Sequence, residues 1–504
     1  MTLMAPSLIT PSTSKLLSYL SFNKPYTQPS SSKSPDMPTF ITIVMRKDGT
    51  LTTKCLNDTQ QQQPQARSST LLTRRRRSFL SLQCPSSSPP KQRRLIPSFI
   101  PRFQACKRNS IDIQLCGDND QIVVTAERSQ TFIQRLPIEL MVKTMLYLDC
   151  LSLLRLSETC KHLHRICHRN HHYLWQTLFR TNYCQKRLLT DDDYYDLYKN
   201  HYRLNQRWKR GNVHTRYLTG HEDSVYCLVW FGSNQIVSGS RDRSVKVWDL
   251  SRPQESLLLT KTHHDGSVLC LRISSDMTFM VSGSSDTTCL IWSLPEFVPR
   301  KRLIGHSGGV LDVCILESLI VSSSRDASIR VWDTATGQEI RRLEGHAGPV
   351  NALGSFKRLV VSASGDTTLR LWDVDTGHCL RTFIGHTRGL ACVRFDGKFI
   401  YSGGQDNKLK VWDASSGNCI STLTGHSDLI RTIDSFENIV VSGSYDKTLR
   451  VWDMKENKCL LSFQSGHSSW IFNSLLNRTK IISAGQDKRI MVLDFGYDLI
   501  TIDH

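Results

Sequence analysis

Seven histidines recur from residue 221 onward: His221, His264, His306, His346, His386, His426 and His467, at steps of 43, 42, 40, 40, 40 and 41 residues. Each is followed 20 to 22 residues later by an aspartate (Asp242, Asp286, Asp326, Asp366, Asp406, Asp446, Asp487), with a serine four positions before that aspartate. Serine, histidine and aspartate are the residue types of nucleophilic acyl transfer, so hydrolysis is the first chemistry to weigh. The spacing argues against it. A nucleophile needs one strained, exposed serine beside an oxyanion hole, whereas equal copies at a fixed period are the mark of a repeated structural unit. His346, Ser362, Asp366 and Trp372, the plainest copy, are therefore read as structural.

Short strands must position these groups. Leu319 to Ser324 is an apolar run ending in small polar residues, Arg325-Asp326 is a turn, and Ile329-Arg330-Val331-Trp332 alternates. Such runs between turn signals, with no helical period, read as strands. A period near forty, opened by Gly-His and closed by Trp-Asp, resembles the WD-repeat family and covers about 280 of the 504 residues. The resemblance implies an all-β seven-bladed propeller of four-stranded blades over 214–504. It also implies that the serine, histidine and aspartate bond with the strand tryptophan to pin each loop. A ring must close or leave raw edges; Arg216 to Thr219 can supply the outer strand that the seventh copy lacks. Copy two departs from the pattern with His263 and Ser293, and copy seven with Leu493 in place of Trp. Copy seven is expected to be the loosest blade.

The net charge of +19 invites a nucleic-acid partner, but residues 1–130 alone hold 18 Lys/Arg against 7 Asp/Glu. The excess sits in a Ser-, Pro-, Gln- and Arg-rich tail that is expected to be disordered, so its distribution argues against nucleic acid as the function. Arg74 to Arg77 with Lys91, Arg93 and Arg94 could form a nuclear import signal or a solvated basic stretch. Sixteen cysteines include no Cys-x-x-Cys pair, so neither a metal site, a cofactor nor a disulfide framework is expected, and a reduced cytoplasmic or nuclear compartment fits. Cys379, Cys419 and Cys459 share one blade position and read as small apolar strand residues. No stretch approaches the roughly 20 apolar residues of a membrane span.

Residues 131–180 read as a small helical module. Leu136-Pro137-Ile138 opens a helix with Ile138, Met141, Met145 and Leu148 on one face, Asp149 can cap a second, and Cys160, Leu163 and Ile166 mark a third before Leu174-Trp175. The ordered set of Leu-Pro, helix, Leu-Asp, leucine-rich helix, Cys-Lys-x-Leu and Leu-Trp resembles the F-box, with Cys150 a departure from its usual proline. The resemblance implies docking onto the Skp-type adaptor of a cullin–RING ubiquitin ligase. Leu136, Pro137, Ile138, Leu148, Leu151 and Leu153 are the candidates, either as docking face or as the module's own core. Residues 181–213 read as a helical linker: Thr190 and Asp191 to Asp193 form a cap, Tyr194, Leu197, Tyr198, His201 and Tyr202 a packing stripe, and Gly211 a stop.

Where the copies differ, a client can be read. By the resemblance two positions face the rim: the residue before each Asp (Arg241, Ser285, Arg325, Gly365, Gln405, Tyr445, Gln486) and the fifth after each His (Tyr226, Leu269, Leu311, Asn351, Ala391, Arg431, Phe472). Tyr226, Arg241, Arg325, Asn351, Arg431 and Tyr445 are the candidate substrate contacts. The three arginines suit a phosphorylated or acidic degron, with an unmodified protein as the alternative. The expected protein is thus a non-catalytic substrate receptor of a ubiquitin ligase, or else a propeller scaffold outside any ligase.

Overall fold

Val360-Val361-Ser362-Ala363 shows why these segments become strands: every side chain is small or β-branched and can be packed on both faces of a sheet. The computed structural model describes residues 39–45, 51–55, 136–167, 172–183 and 194–499. In it this run belongs to Leu359–Ser364, and all but its first residue are buried. The fourth blade is completed by Val350–Phe356, Leu369–Asp373 and Cys379–Phe383, antiparallel throughout, with Val360 opposite Trp372. Only the outermost strand faces water along most of its length. The pattern recurs in seven sheets, so the expected propeller is present.

Neighbouring blades bury one another. Trp372 of blade four packs with Val321 and Val331 of blade three, and Trp412 of blade five with Val361 and Leu371 of blade four. Deeper in, Asp312 Oδ2 accepts from the Leu353 amide at 2.9 Å and Asp434 Oδ2 from the Leu476 amide at 2.8 Å, each bond crossing from one blade to the next.

The ring closes as the sequence leads one to expect. Blade seven has Ile471–Leu476, Lys480–Gly485 and Ile490–Asp494, and its fourth strand is His214–Leu218, with Leu218 opposite Ile490. That strand starts two residues before the expected Arg216. Leu493, in place of tryptophan, is wholly buried in a cluster with Leu204, Trp208 and Phe495. Blade seven is therefore filled from outside the repeat.

The filler is the linker helix, Tyr194–Arg210. Tyr194, Leu197, Tyr198 and His201 of the predicted stripe are buried, and Tyr202 is half-buried. Trp208 stacks on Phe495 with centroids 3.8 Å apart, and its Nε1 donates to the Arg478 carbonyl at 3.1 Å. Arg207 donates to the carbonyls of Phe495 and Tyr497 at 2.9 and 2.6 Å and to Asp498 at 2.7 Å. The cap expected at residues 190–193 lies outside the described residues.

A second compact unit holds the helical module: α1 (Ile138–Met145), α2 (Cys150–Ser157) and α3 (Lys161–Cys167), followed by the start of a helix over His172–Tyr183. Asp149 caps α2 as expected, accepting from the Ser152 amide at 3.2 Å. Met141, Met145, Leu153, Leu163 and Ile166 are buried, and Cys167 Sγ lies 3.8 Å from Met145 Sδ. Of the N-terminal tail only two strands are described, Thr39–Met45 and Leu51–Cys55. They pair with each other, and the first runs parallel to Lys458–Gln464 of blade six. An open sheet edge with unpaired N–H and C=O groups accepts such an addition. The basic run at 74–94 lies outside the described residues.

Cys379 and Cys419 are exposed and Cys459 is half-buried. Cys379 and Cys419 begin outer strands, as the strand reading expects, but on the water-facing side.

Trp208→Ala should lower unfolding free energy by about 3–5 kcal/mol, the usual cost of truncating a buried aromatic. Denaturant titration of the full chain reads it, and an unchanged midpoint would contradict the bracing of blade seven.

Candidate protein-binding surfaces

The repeated polar residues form one buried chain per blade. In blade four Trp372 Nε1 donates to Ser362 Oγ at 2.8 Å, Ser362 Oγ lies 2.7 Å from His346 Nε2, and His346 Nδ1 lies 2.6 Å from Asp366. An indole can only donate, so Ser362 accepts from it and gives its own hydrogen to Nε2, leaving Nδ1–H for the carboxylate. Asp366 also accepts from the amides of Ala347 at 3.1 Å and Thr368 at 2.9 Å. Each serine in the seven chains is fully buried, so no substrate reaches its Oγ. His346, Ser362, Asp366 and Trp372 are thus bonded to one another in sequence within the blade.

Copy two keeps its chain despite His263 and Ser293: His264 meets Asp286 at 2.8 Å and Ser282 at 2.7 Å, and Trp292 donates to Ser282 at 2.7 Å. In copy seven His467 keeps Ser483 at 2.8 Å and Asp487 at 2.9 Å without an indole. Burial alone would raise the Asp366 carboxyl, but the bonds from His346 and Thr368 outweigh it and hold it below the usual range. In blade six the same balance leaves Asp446 at about 2. Burial pushes His306 and His426 down in spite of their aspartate partners.

The fifth residue after each His does converge: Tyr226, Leu269, Leu311, Asn351, Ala391, Arg431 and Phe472 all line the central channel. Convergence is not availability. Asn351 Nδ2 donates to the Leu390 carbonyl at 2.6 Å and Arg431 Nη1 to the Ala391 carbonyl at 3.2 Å, so both are used as ties between blades. Further inside, Arg272 pairs with Asp312 at 3.6 Å.

Four of the six predicted contacts gather on one arc of the mouth. Tyr445 is buried, with the Trp470 ring stacked on it at 4.5 Å and 6°. Phe472 meets Tyr445 edge-on at 5.9 Å, and Tyr226 lies 5.0 Å from Phe472. Burial raises both tyrosine hydroxyls; Arg431 opposes it at Tyr445, and Arg241 and Arg431 oppose it at Tyr226. Arg241 is about one-third exposed, with Nε 3.7 Å from Asp223. Arg325 is exposed on blade three, away from this cluster of blades five, six, seven and one, and Asn351 is held in the channel. The expected convergence of three arginines therefore reduces to two, because blade geometry separates the third.

Trp470 was missed. Three residues after its His the other copies have Ser224, Ser267, Gly309, Pro349, Gly389 and Leu429, so a tryptophan there is the signal that aligning the copies would have shown.

On the helical module, Ile138 is 45% exposed, Leu148 36% and Leu151 46%, joined by Leu140 at 48% and Tyr147 at 92%. Pro137 is exposed and Leu136 half-buried. Leu153 is fully buried, because a residue two positions on from Leu151 falls on the opposite side of α2, so it is core and not docking face. Leu140 and Tyr147 were not anticipated.

A family profile described as "WD domain, G-beta repeat" matches residues 212–249, 255–293, 297–333, 337–373, 377–413 and 417–453, and one described as "F-box-like" matches 133–181. The unmatched seventh copy is the one without tryptophan. Together with the propeller and the helical module these matches place the chain among the F-box/WD-repeat proteins. It is a receptor-type architecture. Among curated proteins, the chain is 35% identical over 97 residues to Transducin beta-like protein 3 of Bos taurus (18% of this chain, 12% of that protein). It is 34% identical over 94 residues to Apoptotic protease-activating factor 1 of Homo sapiens (19% and 7%), and 28% over 116 residues to Coatomer subunit beta'-2 of Arabidopsis thaliana (22% and 12%). The chain spans about a tenth of the length of these relatives. Among the described residues no helix is long and apolar enough to cross a membrane.

Asp366→Ala should cost about 1–3 kcal/mol by leaving the His346 and amide donors unpaired. An Asp366→Ala protein that unfolds with the parent in denaturant would contradict the network. The lowered histidines and aspartates both give stability that is present above their ordinary values and lost as pH falls through the folded ones. Melting temperature should therefore drop first below about pH 6.5 and again below about pH 4. A flat profile from pH 7 to 3 would contradict both assignments.

Proposed function

We propose that this chain is the substrate-recognition subunit of a cullin–RING ubiquitin ligase. The helical module docks the Skp-type adaptor, and the propeller mouth holds a client carrying a degron. The observation that carries the reading is the row of exposed apolar side chains on α1, its following turn and α2. A monomer does not leave such residues clustered in water without use, and a module this small gains stability from a partner. The receptor performs no bond chemistry and needs no cofactor; ubiquitin transfer belongs to the enzymes that it positions. The linker helix, welded to blade seven through Arg207 and Trp208, suits a spacer that holds the client at a set reach. The cytoplasm or nucleus, where such ligases work, is the compartment that fits. Nucleic-acid and membrane partners have no support.

The rival reading is a propeller scaffold outside any ligase. Full-length chain should co-purify with adaptor and cullin, and Ile138→Lys with Leu151→Lys should abolish this while leaving the melting temperature of the propeller unchanged. Failure of the parent chain to retain adaptor favours the scaffold; retention by the double variant contradicts the proposed docking face.

A further inference from the structure

The outer strand of a blade has no sheet beyond it, and its unpaired N–H and C=O groups invite a further strand unless charge or polarity blunts them. Blades three to five have Arg341, Arg381 and Ser421 at the middle of that strand, with Arg342, Thr382 and Thr422 exposed beside them. Blade six departs from this pattern. Its outer strand Lys458–Gln464 runs seven residues against five in those blades, and Leu461 stands where they have Arg341, Arg381 and Ser421. Leu460-Leu461-Ser462-Phe463 carries no charge, and Leu461, Ser462 and Phe463 are buried. A long, uncharged edge is a liability unless something covers it.

Two elements from before the propeller cover it. The linker helix takes one face, since Leu461 and Phe463 share a cluster with Leu204 and Trp208. Thr39–Met45 takes the open edge, in parallel register from Thr39 opposite Leu461 to Thr42 opposite Gln464. Among the described residues the sheet of blade six thus has six strands, where each other blade has four. The second N-terminal strand, Leu51–Cys55, pairs antiparallel with the first and lies against His214–Leu218, the strand that closes blade seven. The pair therefore straddles the joint of blades six and seven, where the ring is shut. Its β-branched run Ile41-Thr42-Ile43-Val44 suits extended backbone.

We propose that the rim of blade six is a strand-addition site, taking one uncharged, β-branched strand in parallel register, and that this chain's own Thr39–Met45 is its resident occupant, a strap across the closing joint. Backbone pairing gives such a site its affinity, and pockets for alternate side chains give it selectivity. Four paired positions of a parallel ladder hold the strap less firmly than packing holds the inner strands, so it can leave without unfolding the ring. The rim then offers its edge to an equivalent strand, at a surface separate from the mouth. The site stands whether or not the receptor reading does.

Hydrogen exchange of the full-length chain, read by mass spectrometry, tests the assignment. Proline lacks the N–H that the ladder needs, so Ile41→Pro with Thr42→Pro unseats the strap whichever of the two positions faces blade six. Lys458–Gln464 should then exchange at least ten-fold faster. Cys379–Phe383 of blade four should stay within two-fold, which reports that the ring is still folded. A synthetic peptide of residues 37–47 should bind the proline variant at least ten-fold more tightly than the parent, whose site is filled, and should restore slow exchange. A scrambled peptide should do neither. Exchange at Lys458–Gln464 unmoved by the prolines would overturn the assignment, as would a peptide that binds both chains equally. A parent that runs as a dimer in size-exclusion chromatography, dissociated by the prolines, would give the strand to a second copy and overturn occupancy by the chain's own segment.

Discussion

A four-stranded sheet with two apolar faces has no stable existence alone, and this constraint organises most of the molecule. Each blade hides its inner strands only by lying between two others, so the array must return on itself. His214–Leu218 makes that return by pairing with Ile490–Asp494. The buried chains from tryptophan through serine and histidine to aspartate then fix each connecting loop to its sheet. A charge is tolerated there because the aspartate is fully bonded. The residues that look most catalytic are thus the ones most completely withdrawn from chemistry.

That division leaves function to what the repeats do not need. Asn351 and Arg431 are each held by a bond to the neighbouring blade. Positions released from such duty diverge from copy to copy. On the helical module the split is similar: Leu153 is given to the interior, and Ile138, Leu148 and Leu151 are left to water.

Most of the fold was legible because a period near forty and the strand texture agree with each other, copy after copy. Leu319–Ser324 falls where its apolar run predicts, and Asp149 caps the helix that its position announces. What escaped was whatever depends on neighbours distant in sequence. The bracing of Leu493 by Trp208 joins residues 285 positions apart, and no local pattern contains it. The β-branched run Ile41-Thr42-Ile43-Val44 was hidden by the Ser- and Pro-rich composition around it. In the mouth, position after the histidine foretold which residues line the channel but not which were already bonded.

The central claim is that two surfaces serve two partners, one on the helical module for the ligase and one on the propeller for the client. A cryo-EM structure of the full chain bound to a Skp-type adaptor tests it most directly. The account predicts density of the adaptor covering Ile138, Leu148 and Leu151 with the propeller mouth open. An adaptor seated on the mouth, with those three residues facing solvent, would contradict it.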